Sequence, residues 1–383
     1  MNSPRDPFRV ARWRVDQTHL ALREEIYAAL DRVLFGTMKT GYEVREAFEA
    51  AFAEAMKQRY CVAVHSGTIG LMIALRACGV GVGDEVITVA NSDISTTAAI
   101  RHCGAIPVLC DVLTADYTLN PEGIEALITP RTRAILPVDL HGHPANVARI
   151  RTIADQHGLR IVEDAALAAG ARDFGKPLGA FADVTVYSFA PLKPLGSLGN
   201  GAALVTQDAD IHARLRLLTY YGHAAQTPET GHQHYIAEGY NVPLDTLQAA
   251  LLGVKLPYLQ AWTDKRRALV RMYERGLART AAILPRLRPD SEPTFRAYTL
   301  RVPRRQAIYG AMRDAGIEVV LHYAPPAYRH PVYHDGLPGS QALPITDRLA
   351  DEILCLPVSP EFTEVEIDYV IDVLCKLLEE DAS

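Results

Sequence analysis

The chain has 383 residues, of which 49% are hydrophobic and 22% are charged, and its formal net charge at pH 7 is −6. A chain of this length can bury a sizeable apolar core without disulfide or metal support, and it suits one large and one smaller domain. The acidic balance argues against a main role in nucleic-acid binding, and the absence of any run of eighteen apolar residues argues against a membrane span.

The first sixteen residues carry charges throughout, which does not fit the apolar centre of a signal peptide. The six cysteines show neither C-x-x-C spacing nor clustering with histidine. We therefore expect reduced, mostly buried thiols and a soluble, cytoplasmic protein.

From about residue 60, short β-rich runs alternate with stretches of helical spacing. The strand-like runs are CVAVHSG, EVITVAN, IPVLCDV, RAILPVDL, RIVED, VTVYSF and AALVT. The helical stretches between them are TIGLMIALRACGV, STTAAIRHCG and PANVARIRTIADQHG. This alternation predicts an α/β fold whose mostly parallel sheet has helices on both faces.

After about residue 245 the pattern changes to helices with a single strand-like run, FRAYTLRVP. The helical stretches are the long segment 245–278, RQAIYGAMRDAG and the terminal TEVEIDYVIDVLCKLLEE. We predict a large domain at 1–245, including an N-terminal helical segment, and a smaller α+β domain at 246–383. Residues 224–240 have loop composition without a period and are predicted to form a mobile loop at the site.

Two stretches place polar groups where a strand ends, the edge of an α/β sheet at which ligands bind. HSGT at 65–68 turns from a strand into a helix, so its backbone N–H groups and hydroxyls could hold a phosphate. Helix capping alone also explains these small residues. In IVEDAA, Asp164 ends an apolar strand, although it could equally cap a following helix.

A third stretch, VTVYSFAPLKPLGSLGNGAALV, places Lys193 alone in an apolar, glycine-rich loop five residues after Ser188. An amine, a carboxylate and a phosphate cradle at neighbouring strand ends are what pyridoxal phosphate requires. Desolvation and a nearby pyridinium would lower the pKa of the lysine and leave it able to transfer protons. An ordinary α/β protein without this cofactor stays the alternative at this point.

The order of longer motifs resembles the DegT/DnrJ/EryC1 family over residues of about 20 to 375. The motifs are FEAAFAEAM, HSGTIGLMIAL, GDEVITVAN, DLHGHPAN, IVEDAALAAGA, SFAPLKPLGSLGNGAALVT, GYNVPLDTLQAA, GIEVVLHYAPP and DEILCLPVSPE. The resemblance implies a fold-type-I pyridoxal-phosphate enzyme, chiefly an aminotransferase acting on nucleotide-linked keto-sugars. Its lysine loop is most similar to that of deoxysugar aminotransferases from natural-product pathways.

Carried over by position, the resemblance makes Lys193 the residue that holds the cofactor covalently and acts as general acid and base. Asp164 becomes the partner of the pyridine nitrogen. The phosphate ligands become Gly67, Thr68 and Ser188. Asn241 would reach the phosphate of the neighbouring subunit's cofactor, which implies a homodimer with sites at its interface. Asn241 could otherwise be a turn residue.

Four positions depart from the family pattern. Asp93 stands where the family usually stacks an aromatic residue on the ring, and Leu167 replaces a Gln or His beside its phenolic oxygen. Pro243 replaces a common arginine, and Tyr328 a common histidine. Asp93 could pair with a cationic substrate, repel anionic ones, or turn away to cap the helix that follows.

The resemblance predicts transfer of an amino group from glutamate or glutamine to a keto-sugar or keto-cyclitol. Family members that act as dehydratases usually carry histidine at the position of Lys193, which favours transamination. Dehydration, aromatisation or cyclitol amination stays an alternative, as does a non-catalytic regulator that binds the cofactor or a sugar nucleotide. No histidine has metal-ligand spacing, although His143 or His232 could touch substrate.

Overall fold

The computed structural model describes residues 8–36, 42–224, 234–340 and 343–379. Most of the predicted loop at 224–240, including His232, lies outside the described residues. None of the helices within the described ranges is long and apolar enough to span a membrane.

The strands are short, as the β-rich runs predict. They are β1 (Tyr60–Val64), β2 (Glu85–Val89), β3 (Ile106–Cys110), β4 (Thr132–Ile135), β5 (Arg160–Asp164), β6 (Arg172–Asp173), β7 (Lys176–Pro177), β8 (Val184–Ser188), β9 (Ala202–Thr206), β10 (His223–Ala224), β11 (His234–Tyr235), β12 (Ser291–Glu292), β13 (Tyr298–Arg301) and β14 (Ile353–Leu356).

The helices begin before the first strand and continue to the end of the described chain. They are α1 (Val15–Ala21), α2 (Arg23–Phe35), α3 (Tyr42–Ala55), α4 (Gly67–Ala77), α5 (Ile94–His102), α6 (Val147–His157), α7 (Ala209–Thr219), α8 (Thr246–Lys255), α9 (Leu259–Leu277), α10 (Arg305–Asp314), α11 (Pro344–Glu352) and α12 (Glu364–Glu379). The long helical segment predicted at 245–278 is divided into α8 and α9 by a 3₁₀ turn at Leu256–Tyr258, because Pro257 cannot donate the hydrogen bond that a continuous helix needs.

Within the described residues the main sheet has seven strands in the order β1–β9–β8–β5–β4–β2–β3. β9 runs antiparallel to both of its neighbours, and the other pairs are parallel. The mostly parallel mixed sheet predicted from the alternation is therefore confirmed. The carboxyl ends of β1, β2, β4, β5 and β8 share one edge.

Both faces of this sheet are covered. Along β8, Val184 and Val186 belong to one buried apolar cluster, while Tyr187 and the following Phe189 belong to another that includes Phe52 of α3. Side chains alternate across a strand, so β8, which is buried at every position, is packed on both sides. On the first face Gly70 lets α4 approach β8, since a Cβ there would lie 3.0 Å from Cγ1 of Val186.

A separate apolar cluster lies in the C-terminal part, around the antiparallel pair β13–β14 and helices α9, α10 and α12. Val10 belongs to the same cluster and forms a bridge with Ile317. Helix α8 contributes Ala249 and Leu252 to the cluster of Phe52. The division into domains at residue 245 stays a prediction.

All six cysteines are free, and four of them are buried. Burial raises the pKa of the Cys78 and Cys110 thiols to about 12. They are neutral at physiological pH and serve as small apolar side chains.

Candidate active site

The amino end of α4 forms a cradle against the end of β8. Ser66 caps the helix by accepting a hydrogen bond from Ile69 N–H at 3.4 Å. A Cβ on Gly67 would lie 3.3 Å from Oγ of Ser188, so the glycine allows the helix start and that hydroxyl to come together. The first N–H groups of a helix have no partner inside it and attract anions. Gly67, Thr68 and Ser188 therefore lie where a phosphate could bind.

Asp164 is buried at the end of β5, with 4% of its surface exposed. Its carboxylate accepts hydrogen bonds from Thr96 Oγ1 at 3.0 Å and from Ala166 N–H at 3.1 Å. Burial raises its pKa above the ordinary value, and the Ala166 bond, the charge of Lys193 and the Thr96 bond oppose that rise. A buried carboxylate with these few donors is suited to a cationic partner.

The loop that carries Lys193 is hydrogen-bonded to side chains of α8. Oε1 of Gln248 accepts hydrogen bonds from the N–H groups of Leu198 at 2.9 Å and Gly199 at 3.1 Å. Nζ of Lys255 donates to the carbonyl of Gly196 at 2.6 Å. These bonds replace regular secondary structure and hold the loop in one conformation.

The Lys193 amine lies in a pocket that disfavours its charge. The pKa of Lys193 is lowered to about 8, mainly by burial and then by the nearby charge of Arg296, while Asp164 and Asp93 act in the opposite direction. A neutral amine is the form that can attack a carbonyl carbon or accept a proton. Lys193 and Asp164, predicted from separate motifs, thus lie close enough to influence each other's pKa.

Asp93 lies in the loop between β2 and α5 and caps α5, where its carboxylate accepts a hydrogen bond from Ser95 N–H at 2.9 Å. The interpretation as a helix cap is confirmed. Its charge nevertheless raises the pKa of Lys193 and of the partly buried Tyr323, so it faces the same region. Leu167 is buried in the core cluster of the sheet, and its side chain offers no hydrogen bond to a ligand.

Asn241 is exposed and pairs with Tyr220 in an isolated β-bridge. The next residue, Val242, accepts a hydrogen bond from His65 N–H at 2.9 Å, which places Asn241 beside the turn into α4. Its role toward a second subunit stays a prediction. The Tyr328 hydroxyl donates to Asp347, and Pro243 forms a bridge with Val64 at the end of β1.

His141 and His143 are fully buried after β4. Burial lowers the pKa of both, and Nδ1 of His143 lies 3.2 Å from the carbonyl of Asp116. No group of three or more His, Cys, Asp or Glu side chains in the described parts of the chain could hold a metal ion.

The sequence interpretation missed a cationic cluster near Lys193. Arg12 and Arg296 are both buried, and their guanidinium carbons lie 4.9 Å and 3.6 Å from the centre of the Trp13 ring. His322 approaches Arg12, with Nδ1 at 3.2 Å from Nη2. No local pattern identifies this cluster, because residues 12 and 296 are brought together only by the fold.

The residues present fit pyridoxal phosphate. The helix end with Ser188 suits its phosphate, the buried carboxylate of Asp164 suits a protonated ring nitrogen, and the amine of Lys193 suits its aldehyde. The three groups come from β1, β5 and β8, whose carboxyl ends meet at one edge of the sheet.

Comparison with known proteins agrees with this chemistry. The profile of the DegT/DnrJ/EryC1/StrS aminotransferase family matches residues 21–375. The chain is 41% identical over 360 residues to the erythromycin biosynthesis sensory transduction protein EryC1 of Saccharopolyspora erythraea, covering 93% of this chain and 96% of that one. It is also 41% identical over 355 residues to the dTDP-3-amino-3,4,6-trideoxy-alpha-D-glucose transaminase of Streptomyces venezuelae, covering 92% and 91%.

Solved structures give the same result. The crystal structure of S. venezuelae DesV in complex with a ketimine intermediate has a TM-score of 0.91 and 38% identity, covering 97% of this chain and 99% of that one. The structure of NtdA from Bacillus subtilis with bound cofactor PMP has a TM-score of 0.85 and 29% identity, covering 99% and 89%.

Proposed function

The chain belongs to the DegT/DnrJ/EryC1/StrS family of pyridoxal-phosphate-dependent aminotransferases, and on that premise we propose that it aminates a keto-sugar. The amino donor is glutamate or glutamine, and the acceptor is a nucleotide-linked sugar of deoxyaminosugar or natural-product biosynthesis. The observation that carries the proposal is that Lys193, the buried Asp164 and the start of α4 end or follow strands whose carboxyl ends share one edge of the sheet, where burial lowers the pKa of the lysine.

Bound pyridoxal phosphate supplies an aldehyde carbon at which amines exchange and a ring that accepts electrons. Lys193, as a neutral amine, would hold the cofactor through that carbon. With a pKa of about 8, about a quarter of the lysine is neutral at about pH 7.5, against about one part in a thousand for an ordinary lysine. Once free of the cofactor, the same amine would serve as the general base and acid that accepts and returns the proton moved in transamination.

Asp164 would keep the ring nitrogen protonated, and its hydrogen bonds from Thr96 and Ala166 fix the direction of its carboxylate. A cationic ring nitrogen would give this buried group the partner that its environment lacks. Gly67, Thr68 and Ser188 would hold the phosphate at the start of α4.

The sugar acceptor is supported by the S. venezuelae transaminase, whose name specifies a dTDP-linked amino sugar. Its similarity covers more than nine-tenths of both chains. We extend to this chain the substrate class, not the particular sugar, because pocket shape decides which keto group is aminated.

We also propose a homodimer in which Asn241 contacts the phosphate of the partner subunit's cofactor. The exposed position of Asn241 beside the turn into α4 supports this role. The dimer would then complete each site with a residue that its own chain does not supply.

The first experiment is a visible spectrum of the purified protein loaded with pyridoxal phosphate, followed by titration with L-glutamate and L-glutamine. We expect Lys193→Ala to lose the visible absorbance of the lysine-bound cofactor together with amine transfer. Lys176→Ala, which removes an exposed lysine, is the matched control and should keep both. Full activity in Lys193→Ala would disprove the proposal.

A regulatory role is the second candidate, and it is carried by the name of the S. erythraea relative, a sensory transduction protein. A binding protein has no need of an activated lysine, whereas an aminotransferase does. A DNA-binding assay at several salt concentrations tests the regulatory role. Product analysis tests the alternative of a dehydratase: loss of water without net amine transfer would contradict the aminotransferase.

A further inference from the structure

Arg296 carries a buried positive charge without an anionic partner. Only 6% of its surface is exposed, and its Nε and Nη1 atoms make no hydrogen bond. It forms no ion pair with any carboxylate of the described residues. A buried guanidinium left in this state is strongly unfavourable, so a ligand that supplies an anion there would be stabilised.

Arg12 adds a second cation at the same place. It is 9% exposed and lies over the same indole ring, that of Trp13. The guanidinium approaches His322, whose pKa is lowered to about 3 chiefly by burial, so this neighbour is neutral and does not offset the charge. Glu318 accepts a hydrogen bond from the Arg12 backbone N–H, not from its guanidinium.

Position ties this pair to the reaction. The backbone of Arg296 packs on the turn after β4, where a Cβ on Gly142 would lie 3.0 Å from Arg296 N. Among the charges that act on Lys193, that of Arg296 has the largest effect. The pair therefore lies at the edge of the sheet that carries Lys193, whereas the phosphate cradle is built from the start of α4 and the end of β8.

From this arrangement we infer that Arg12 and Arg296, stacked on Trp13, form a carboxylate-binding subsite that orients the α-carboxylate of the amino donor. The inference rests on the proposed function. In any α-amino acid the carboxylate is bonded to the carbon that bears the amine. Because that amine must replace the amine of Lys193, the carboxylate has to lie close to Lys193. A planar guanidinium fork matches a carboxylate with two hydrogen bonds.

The binding test uses glutarate, a dicarboxylate without an amine, on the protein free of cofactor. Trp13 and Trp262 are the two tryptophans of the chain, so Trp262→Phe leaves Trp13 fluorescence as the signal. We expect Arg296→Gln to bind glutarate about tenfold to a hundredfold more weakly, as for loss of a charged hydrogen-bond partner. Arg296→Lys keeps the charge but not the planar guanidinium fork, so its affinity for glutarate should lie between those of the unsubstituted protein and Arg296→Gln.

Arg9 provides the matched control, since it stacks on Tyr369 at the same 3.6 Å but is exposed. Arg9→Gln should bind glutarate within about twofold of the unsubstituted protein, as surface changes usually do. Unchanged glutarate binding in both Arg296 variants would overturn the subsite. An equal fall in affinity for pyridoxal phosphate would overturn it too, by showing that Arg296 serves the cofactor.

The source of the carboxylate is tested with the loaded enzyme and L-glutamate against its α-amide, L-isoglutamine. We expect L-glutamate to bleach the visible absorbance faster, and Arg296→Gln to remove most of this preference. If instead binding of glucuronate falls in Arg296→Gln while binding of glutarate does not, the carboxylate belongs to the sugar and the donor assignment is wrong. Glutarate binding without any visible cofactor spectrum would refute the proposed function and leave the anion subsite standing.

Discussion

Raising the pH of the cofactor-free protein should activate Lys193 far below the pH at which an ordinary lysine reacts. Its pKa of about 8 results mainly from burial, with a further contribution from Arg296. The neutral fraction should therefore rise from about 1% at about pH 6 to about half at about pH 8, and then level off. At about pH 7.5 the neutral fraction of the amine should be about 200-fold larger than that of a lysine of unperturbed pKa.

The assay is the rate of labelling by an amine-specific acylating reagent between about pH 6 and about pH 10, resolved by peptide mass spectrometry. Mapping is needed because burial also lowers the pKa of Lys255 to about 8; Lys193→Ala identifies the peptide, and exposed Lys176 serves as the internal comparison. A Lys193 rate that still climbs nearly tenfold per pH unit at about pH 9 would refute the reasoning, since it would mean a normally solvated amine.

Three further predictions concern the stability and the cradle of the site. Because the pKa of Lys193 is lower in the folded than in the unfolded protein, its burial lowers the stability of the fold below about pH 8 and has no such cost above about pH 10.5. Lys193→Met should therefore raise the free energy of unfolding of the cofactor-free protein by about 1–3 kcal/mol at neutral pH. A urea titration that shows no gain, or a gain that persists at high pH, would contradict this. Gly67→Ala places a Cβ 3.3 Å from Oγ of Ser188 and should weaken pyridoxal phosphate binding about tenfold, as measured by equilibrium dialysis. The double variant with Ser188→Ala should recover part of this affinity. Equal affinity for Gly67→Ala and the parent protein would show that the two segments do not form the cradle. Gln248→Ala removes the acceptor of two N–H groups in the Lys193 loop and should reduce the free energy of local opening by about 1–3 kcal/mol. Hydrogen exchange should become faster in residues 189–201 and stay unchanged in the strands. Unaltered protection of the loop from exchange would mean that these bonds do not hold it.

The alternation of β-rich and helical runs was enough to predict the sheet and most of its strands. The apolar residues of β8 and the polar Asp164 at the end of β5 are local features, and strand ends collect at one edge by the general geometry of parallel sheets. Local sequence features alone left two interpretations of Asp93 open. Whether Asp93 capped a helix or faced the site depended on the neighbours of α5, and the structure shows that it caps the helix while its charge still reaches Lys193.

Sequence by itself indicated which chemistry this protein carries through the order of its motifs, because the lysine loop and the carboxylate at a strand end left an ordinary α/β protein as an alternative until the family resemblance was considered. Only the tertiary structure decided how reactive the lysine is and what surrounds it. The pKa of Lys193 depends on burial and on Arg296, which lies 103 positions away along the chain. Arg12 and Arg296 share one tryptophan ring only after the N-terminal segment and the start of β13 have packed together, and such through-space electrostatic contacts leave no local pattern in a sequence.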